Sequence, residues 1–223
     1  MIRLVCILIG YVFGLFQSSY IYGKLHGIDI KKHGSGNAGT TNTLRVLGKK
    51  AGAIVLICDM VKCGLAMMLV RFLFKESYSD ILPLLALYAA AGTILGHDFP
   101  FYLGFKGGKG IACTAGLIVF YHPYLILPQV ITFFGTFFAT HYVSLGSLLV
   151  NIVLIAEMVI FGQIGVFGEL SQAVLNEMYV VTALLAALAF WGHRANIVRL
   201  MLNFYQLFHK QNNYRNISID RHI

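Results

Sequence analysis

In the stretch FKGGKGIACTAG, Phe105–Gly116, a basic, glycine-rich loop runs directly into an apolar segment. The five residues from Lys106 to Gly110 are two lysines and three glycines, and those that follow are mostly apolar. A long apolar segment can satisfy its backbone polar groups in lipid only as a helix, whereas a loop of this kind suits water or an anion. The stretch therefore predicts a boundary between membrane and water. Polar loops and apolar segments alternate in the same way along the rest of the chain.

The composition of the whole chain supports this membrane assignment. Hydrophobic residues occupy 58% of the 223 positions, and charged residues occupy 12%. This leaves too little polar surface to cover a water-soluble globule. We therefore expect an all-α integral membrane protein.

Seven apolar stretches predict membrane-spanning helices, each of which needs roughly 20 apolar residues unless it is packed inside a bundle. They lie at about 4–22, 52–72, 81–96, 111–124, 127–143, 146–164 and 178–192. The fourth is short because Tyr121, His122 and Pro123 end it, and the fourth and fifth together also read as one segment broken at Pro123 or Pro128. We interpret the first stretch as a membrane helix, with a cleaved signal as the alternative, because its apolar run reaches Ile21 without a small-residue cleavage site.

The basic residues predict the orientation of these spans. With seven spans, thirteen of the seventeen basic residues fall on one side, and only Arg3, Arg71 and Lys75 fall on the other, while Lys62 lies within the second span. Because Lys and Arg in short loops mark the cytoplasmic face, the N-terminus is expected outside and the C-terminus in the cytoplasm. Six spans would break this pattern. The net charge of +8 thus follows from topology, and no nucleic-acid partner is needed to explain it.

The sequence indicates one membrane domain and a tail. We expect residues 1–200 to form a single transmembrane domain and residues 201–223 to form a cytoplasmic tail, with an interfacial helix followed by a disordered end. The cysteines, Cys6, Cys58, Cys63 and Cys113, lie in or beside apolar segments and lack the spacing of a zinc site. We expect them to be small buried hydrophobic residues.

Two glycine-rich stretches on the predicted cytoplasmic side indicate anion binding. GSGNAGTTNTLRVLGKKAG, Gly34–Gly52, combines glycines, hydroxyl and amide side chains with Arg45, which can grip a phosphate or a carboxylate. GHDFPFYLGFKGGKGIACTAG, Gly96–Gly116, adds lysines and the start of a helix. The second is not a nucleotide P-loop, because Gly110 follows Lys109 where Ser or Thr would bind magnesium. The alternatives are a turn-rich loop and a loop whose lysines serve topology only.

Two further polar clusters lie at predicted helix ends on the same side. YVSLGSLL places Ser144 and Ser147 three residues apart on one helical face, where serines also serve as caps or packing residues. WGHRANIVRL places His193 and Asn196 so that both can face one site, with interfacial anchoring as the alternative. Each cluster alone is a weak indication of function.

Three charged residues lie inside the predicted spans. Glu157 is costly in lipid and is expected to face the helix bundle, without an assigned role. Asp59 and Lys62, at positions i and i+3 of the second span, are expected to pair or to lie near its inner end.

Together, these stretches resemble the bacterial acyl-phosphate:glycerol-3-phosphate acyltransferases, the PlsY family. The likeness covers most of residues 1–200 and rests on three ordered motifs, GSGNAGTTNTLRVLGKKAG, GHDFPFYLGFKGGKGIA and HRANIVRL, with CDMVKCGLA and YVSLGSLL between them. The resemblance implies a seven-helix enzyme of the bacterial cytoplasmic (inner) membrane, with its active site on the cytoplasmic face. The implied reaction transfers an acyl group from acyl phosphate to the sn-1 hydroxyl of glycerol 3-phosphate. It gives lysophosphatidic acid and phosphate, the first step of phospholipid biosynthesis, without a metal or cofactor.

The resemblance also implies roles for particular residues. Those expected around glycerol 3-phosphate are Ser35, Asn37, Arg45, Lys109, His193 and Asn196. Those expected around acyl phosphate are Gly107, Gly108, Lys109 and Gly110, and Lys106 and Ser144 are expected as further substrate-binding residues. Arg45, Lys109 and His193 are the expected catalytic residues. His193 is a candidate general base, but the family's geometry implies that a substrate phosphate takes the proton and that His193 positions and polarises the hydroxyl.

The sequence also bears on the acyl donor, the partners and the alternative function. No histidine is followed five residues later by Asp, the pattern that handles thioester donors. The expected partners are glycerol 3-phosphate, acyl phosphate and membrane lipid, and the enzyme that makes acyl phosphate is a candidate protein partner. A phosphate or organic-anion transporter is the alternative, but it would place its basic residues near the bilayer midplane, whereas these lie in loops on one face.

Overall fold

A computed structural model describes residues 1–203, and every regular element in that range is helical. The α-helices are α1 (Ile2–Gly14), α2 (Ser18–Leu25), α3 (Thr40–Phe74), α4 (Leu82–Asp98), α5 (Ile111–Tyr121), α6 (Ile126–Thr140), α7 (Val143–Gln163) and α8 (Gln172–Gly192). Short 3-10 turns lie at Ile30–Lys32, Ser79–Ile81, Phe101–Leu103 and Pro123–Leu125, and residues 194–203 are helical as well. The all-α prediction is confirmed. The predicted tail lies outside the described residues from residue 204 onward.

Six helical segments of residues 1–203 are long and apolar enough to cross a membrane. They are Ile2–Leu25, Thr40–Phe74, Ser79–Leu103, Pro123–Thr140, Val143–Gln163 and Gln172–Gly192. These match six of the seven predicted spans. The remaining one is α5, an apolar helix of only 11 residues, so the count of seven spans and the orientation of the termini stay predictions.

The end of α5 shows how so short a helix is accommodated. The Arg71 side chain donates hydrogen bonds from its two terminal nitrogens to the carbonyl oxygens of Phe120, at 2.8 Å, and Tyr121, at 2.9 Å. Carbonyls at a helix end need such partners where water is scarce. Pro123 then opens the next 3-10 turn. The chain therefore breaks at Pro123 and not at Pro128, which lies within α6.

The first span is interrupted, where the sequence predicted a continuous helix. α1 ends at Gly14 and α2 begins at Ser18. The Gln17 side chain donates to the Gly14 carbonyl at 3.1 Å, and the Phe16 carbonyl accepts from Lys62 Nζ at 2.8 Å. Buried polar side chains thus satisfy the backbone groups that the break releases.

α1 and α4 pack with their backbones in close contact. Each carries a GxxxG pattern, Gly10 and Gly14 in α1 and Gly92 and Gly96 in α4. A Cβ atom added at Gly10 would lie 1.9 Å from the Ala89 carbonyl oxygen, so no side chain fits there. Small residues allow membrane helices to approach in this way. The contact fixes the C-terminal end of α4, from which the loop to α5 departs.

α3 begins earlier than predicted and is bent. The helix starts at Thr40, inside the predicted loop at 23–51, and Gly48 breaks its geometry with φ +86°. Residues 40–47 fold back over the following turn, since a Cβ at Gly52 would lie 2.8 Å from Leu44 Cβ. Arg45 therefore lies on a short helical segment, and the loop expected between the first two spans ends at Gly39.

The charged residues within the spans are paired. Lys62 Nζ lies 2.8 Å from Asp59 Oδ1, which confirms the predicted pair. Glu157 is buried and accepts a hydrogen bond from Gln129 Nε2, so that this pair joins α7 to α6. Glu157 faces the helix bundle, as expected for a carboxyl group in lipid.

Candidate active site

The loop between α4 and α5 is held by the end of α4. In this glycine loop (residues 104–110), the backbone N–H of Gly107 donates to the Asp98 carbonyl and that of Gly108 to the His97 carbonyl, both at 3.0 Å. Gly110 ends the loop with φ +71° and precedes the first residue of α5. The glycine loop thus has a defined backbone without any ligand.

Close packing against His97 explains the glycine pair in the loop. A Cβ at Gly107 would lie 2.0 Å from the His97 carbonyl oxygen, and one at Gly108 would lie 2.0 Å from His97 Nε2. Neither position can carry a side chain without moving backbone or ring. Sequence interpretation assigned these glycines to close approach of a phosphate, whereas the structure shows that contact with His97 already requires them.

A buried polar group of side chains, the support cluster (Gln17, Ser18, Asp59, Lys62 and His97), lies beneath the loop. Lys62 Nζ donates to Asp59 Oδ1 and the Phe16 carbonyl, both at 2.8 Å, and to His97 Nδ1 at 2.9 Å. An ammonium group can only donate, so His97 Nδ1 must accept. We therefore assign the neutral His97 proton to Nε2, on the side of the ring that contacts Gly108.

The cysteines are free thiols, and one of them borders the support cluster. As predicted, Cys6, Cys63 and Cys113 are buried, while Cys58 is half-buried. Asp59, His97 and Cys113 offer ligand atoms within 4.8 Å of one another, a spacing that a metal ion could use. In this structure the Lys62 ammonium contacts both Asp59 and His97, so it supplies the positive charge at that point.

A cavity of about 210 Å³ opens beside the glycine loop. It is lined by Asn37, Asp98, Phe99, Phe105, Lys106, Gly107, Gly108, Lys109, Trp191, Gly192 and Arg194. Five of these were predicted as substrate-binding residues, namely Asn37, Lys106, Gly107, Gly108 and Lys109. The cavity therefore combines two lysines and an arginine with exposed loop backbone, a composition that suits an anion.

Hydrogen bonds bring the four predicted clusters together at this cavity. Asn37 Nδ2 donates to the Gly107 carbonyl at 3.3 Å, which joins the first glycine-rich stretch to the second. Lys109 Nζ donates to Asn196 Oδ1 at 3.1 Å, and Asn196 Nδ2 donates to Ser144 Oγ at 2.5 Å. Residues far apart in sequence thus form one connected site.

Some predicted site residues lie outside the cavity wall. Within the described chain, those that do not line it are Ser35, Arg45, Gly110, Ser144, His193 and Asn196. Ser35 and Arg45 are exposed, and the Ser35 backbone N–H donates to Asn42 Oδ1 at 2.8 Å. His193 is buried, and its Nδ1 bonds the Ala189 carbonyl at 2.8 Å. Their contact with a substrate stays a prediction.

The electrostatics of the site favour an anion. Burial lowers the pKa of Lys109, and the positive charges of Arg199 and Arg194 lower it further. Burial is also the largest cause that lowers the pKa of His193, and the charge of Lys109 adds to it. Both groups are thus less readily charged than in water, and a bound anion would favour their charged forms.

Sequence reasoning missed several cavity residues. Asp98 and Phe105 lie inside a quoted motif, but their side chains showed no pattern typical of phosphate binding. Trp191 and Arg194 flank His193 in another motif, and the Arg194 guanidinium lies 4.5 Å from the centre of the Trp191 ring. Sequence position therefore identified the right segments, while the fold decides which side chains face the cavity.

A connected cationic site with defined loop backbone, set at helix ends of a multi-pass membrane protein, is typical of an enzyme or carrier for anionic substrates. The family model for glycerol-3-phosphate acyltransferase matches residues 4–203. The chain therefore belongs to the glycerol-3-phosphate acyltransferase family, and it is a membrane acyltransferase. This assignment favours an enzyme over the transporter alternative.

Individual relatives agree with the family assignment. The chain is 38% identical over 198 residues to the glycerol-3-phosphate acyltransferases of Bacillus velezensis and Bacillus subtilis, covering 87% of this chain and 92% of each relative. The fold is similar to crystal structures of PlsY (YgiH), an integral membrane glycerol 3-phosphate acyltransferase. TM-scores are 0.74 for its glycerol 3-phosphate form and 0.73 for its lysophosphatidic acid form, at 28% identity and over 90% of this chain and 92% of that one.

Proposed function

We propose that this protein transfers an acyl group from acyl phosphate to the sn-1 hydroxyl of glycerol 3-phosphate at the cytoplasmic face of the bacterial inner membrane. The observation that carries the proposal is the cavity that Lys106 and Lys109 of the glycine loop line together with Arg194. Both substrates carry an anionic phosphate group, and this cavity brings three cationic side chains together in one wall. The similarity to the glycerol 3-phosphate form of PlsY supports the choice of acceptor.

The proposed chemistry requires positioning and charge neutralisation. The sn-1 oxygen attacks the acyl carbonyl carbon, a new ester C–O bond forms, and the bond from that carbon to the phosphate oxygen breaks. The pair of electrons leaves with phosphate, whose growing charge lies near Lys109. Holding two reactants in line contributes about 7–11 kcal/mol to the lowering of a barrier. The products are lysophosphatidic acid and inorganic phosphate.

The hydroxyl proton needs an acceptor, and we assign it to a substrate phosphate. His193 is buried outside the described wall of the cavity, and its Nδ1–H donates to the Ala189 carbonyl at 2.8 Å. The neutral ring then keeps an unprotonated Nε2, which can accept a hydrogen bond and orient a neighbour. We therefore assign His193 as a positioning residue. The phosphate released from the acyl phosphate then carries the hydroxyl proton.

The acyl chain can remain in lipid while its activated end reacts. An apolar groove of about 420 Å³ between α1 and α3 is lined by Val12, Phe13, Phe16, Cys58, Val61, Lys62 and Leu65. Lys62 lines this groove and contacts His97, and His97 packs against Gly108, which lines the cavity. We propose that the chain lies in this groove.

Filling the groove tests its role. Leu65→Trp should lower the rate with long-chain acyl phosphates several-fold and leave the rate with short-chain donors nearly unchanged. Leu184→Trp on α8, also exposed to lipid, is the matched control. Initial rates over a series of donor lengths measure the effect, and an equal loss at every length would contradict the assignment.

The main test supplies the purified protein with acyl phosphate and labelled glycerol 3-phosphate, and in parallel with acyl-CoA or acyl carrier protein donors. We expect labelled lysophosphatidic acid from acyl phosphate alone. No product from acyl phosphate would overturn the proposal, and equal use of acyl-CoA would overturn the donor assignment.

Arg45→Ala and Lys109→Ala should nearly abolish turnover in folded protein. Near-normal rates for His193→Ala would remove His193 from the site.

A further inference from the structure

The carboxylate of Asp98 lies in the cavity wall without a hydrogen-bond partner. The residue ends α4, is 7% exposed, and lines the cavity beside Lys106 and Lys109. Within residues 1–203, its Oδ1 is buried and makes no hydrogen bond. A buried polar atom left unpaired is costly, so such an atom at a site wall points to a ligand that supplies the missing donor.

Lys62 and Lys109 interact with this carboxylate electrostatically, but neither donates a hydrogen bond to its Oδ1. Lys109 is close enough to interact with Asp98 electrostatically, but its Nζ donates to Asn196 instead, at 3.1 Å. When it is ionised, the Asp98 carboxylate only accepts hydrogen bonds and repels phosphate. A ligand that carries both a phosphate and a hydroxyl group therefore has only one end that Asp98 can bind.

We propose that Asp98 accepts a hydrogen bond from the sn-2 hydroxyl of glycerol 3-phosphate and is a specificity-determining residue of this site. The inference rests on the proposed function and deepens it. The sn-1 hydroxyl must face the acyl carbonyl to react, so the sn-2 hydroxyl is the one free to meet the wall. Asp98 then binds the hydroxyl end of the substrate. The phosphate is directed away from the carboxylate, toward the cationic residues of the cavity, Lys106, Lys109 and Arg194.

A thermodynamic cycle between protein and substrate tests this contact. The wild type and Asp98→Ala are each given glycerol 3-phosphate and 1,3-propanediol monophosphate, which lacks only the sn-2 hydroxyl. In the wild type, loss of that hydroxyl should lower kcat/KM about 10- to 100-fold, the range for a hydrogen bond to a charged group. In Asp98→Ala the two substrates should differ by less than about threefold, and Asp98→Asn should be intermediate.

The controls separate this contact from other roles. Asp80→Ala removes an exposed carboxylate from the predicted outer side and should keep the wild-type ratio. At a pH that ionises Asp98 in the wild type, inorganic phosphate should inhibit Asp98→Ala more strongly than the wild type, because the variant lacks that negative charge. An unchanged substrate ratio in Asp98→Ala, or weaker phosphate inhibition, would overturn the proposal.

Equilibrium binding distinguishes failure of this inference from failure of the proposed function. Calorimetry can measure the affinities of both proteins for glycerol 3-phosphate and for 1,3-propanediol monophosphate. This version of the cycle needs no turnover and no acyl donor. If the hydroxyl preference is present in the wild type and absent in Asp98→Ala, the Asp98 assignment stands even where acyl transfer fails. If the wild type binds both phosphates equally, the Asp98 assignment is wrong whatever the enzyme's rate.

Discussion

Lys109 carries a positive charge that the folded protein disfavours. Burial and then the charges of Arg199 and Arg194 lower the pKa of Lys109, and a lowered lysine pKa means that the folded state destabilises the charged form. We expect Lys109→Met to raise the thermal unfolding temperature while turnover falls roughly 100-fold or more. Lys50→Met, an exposed lysine on α3, should change neither quantity.

The same residue predicts how phosphate protects the fold. Phosphate that binds the folded state raises the unfolding temperature of the wild type, and this protection should be lost in Lys109→Met. Because the pKa of Lys109 is lowered, the protection should fall as the pH rises through a value below the ordinary 10.5 of lysine. Thermal unfolding with and without phosphate, across pH, measures both effects. Equal protection of Lys109→Met would show that phosphate binds elsewhere.

At the scale of elements, the contact between α1 and α4 depends on the absence of side chains. Gly10→Ala places a Cβ against the Ala89 carbonyl oxygen at a spacing of 1.9 Å, so the helices must separate. We expect a loss of about 1–3 kcal/mol in the free energy of unfolding. Gly135→Ala is the control, because a Cβ on this part of α6 meets nothing within 4 Å. A similar loss for both variants would contradict the packing argument.

The support cluster couples α3 to the glycine loop. Lys62→Met leaves Asp59 buried without its cation, which we expect to cost about 3–5 kcal/mol of stability. The double variant Asp59→Leu with Lys62→Met removes both charges, so its stability should return toward that of the wild type. Turnover should stay low in the double variant, since Lys62 no longer orients His97. Recovery of both stability and turnover would show that the cluster only stabilises the fold.

For the whole molecule, the charge asymmetry predicts that the glycine loop faces the cytoplasm. Single cysteines introduced by Lys32→Cys and Glu169→Cys, in a protein without its four native cysteines, test the two faces. A membrane-impermeant thiol reagent should label Glu169→Cys in intact cells and Lys32→Cys only after permeabilisation. Labelling of both positions from one side would contradict the seven-span topology.

Sequence predicted most of the membrane helices because a run of about 20 apolar residues is a strong local signal. It missed the break between Gly14 and Ser18, since that break is stabilised by Lys62, a residue 46 positions beyond the Phe16 carbonyl that it contacts. It also missed Asp98, because a lone carboxylate acquires a role only when the fold places it in a cavity wall. Local patterns thus locate segments, while long-range contacts decide which atoms meet.

The packing of the glycine loop against His97 has a consequence for recognition. Because the Gly107 and Gly108 amides are already held by the carbonyls of Asp98 and His97, a ligand does not have to order this backbone when it binds. Binding to a rigid surface loses less conformational entropy than binding that folds a loop. A stiff, non-hydrolysable mimic of the acyl phosphate head should therefore fit this site without induced fit, and its affinity should depend mainly on shape and charge.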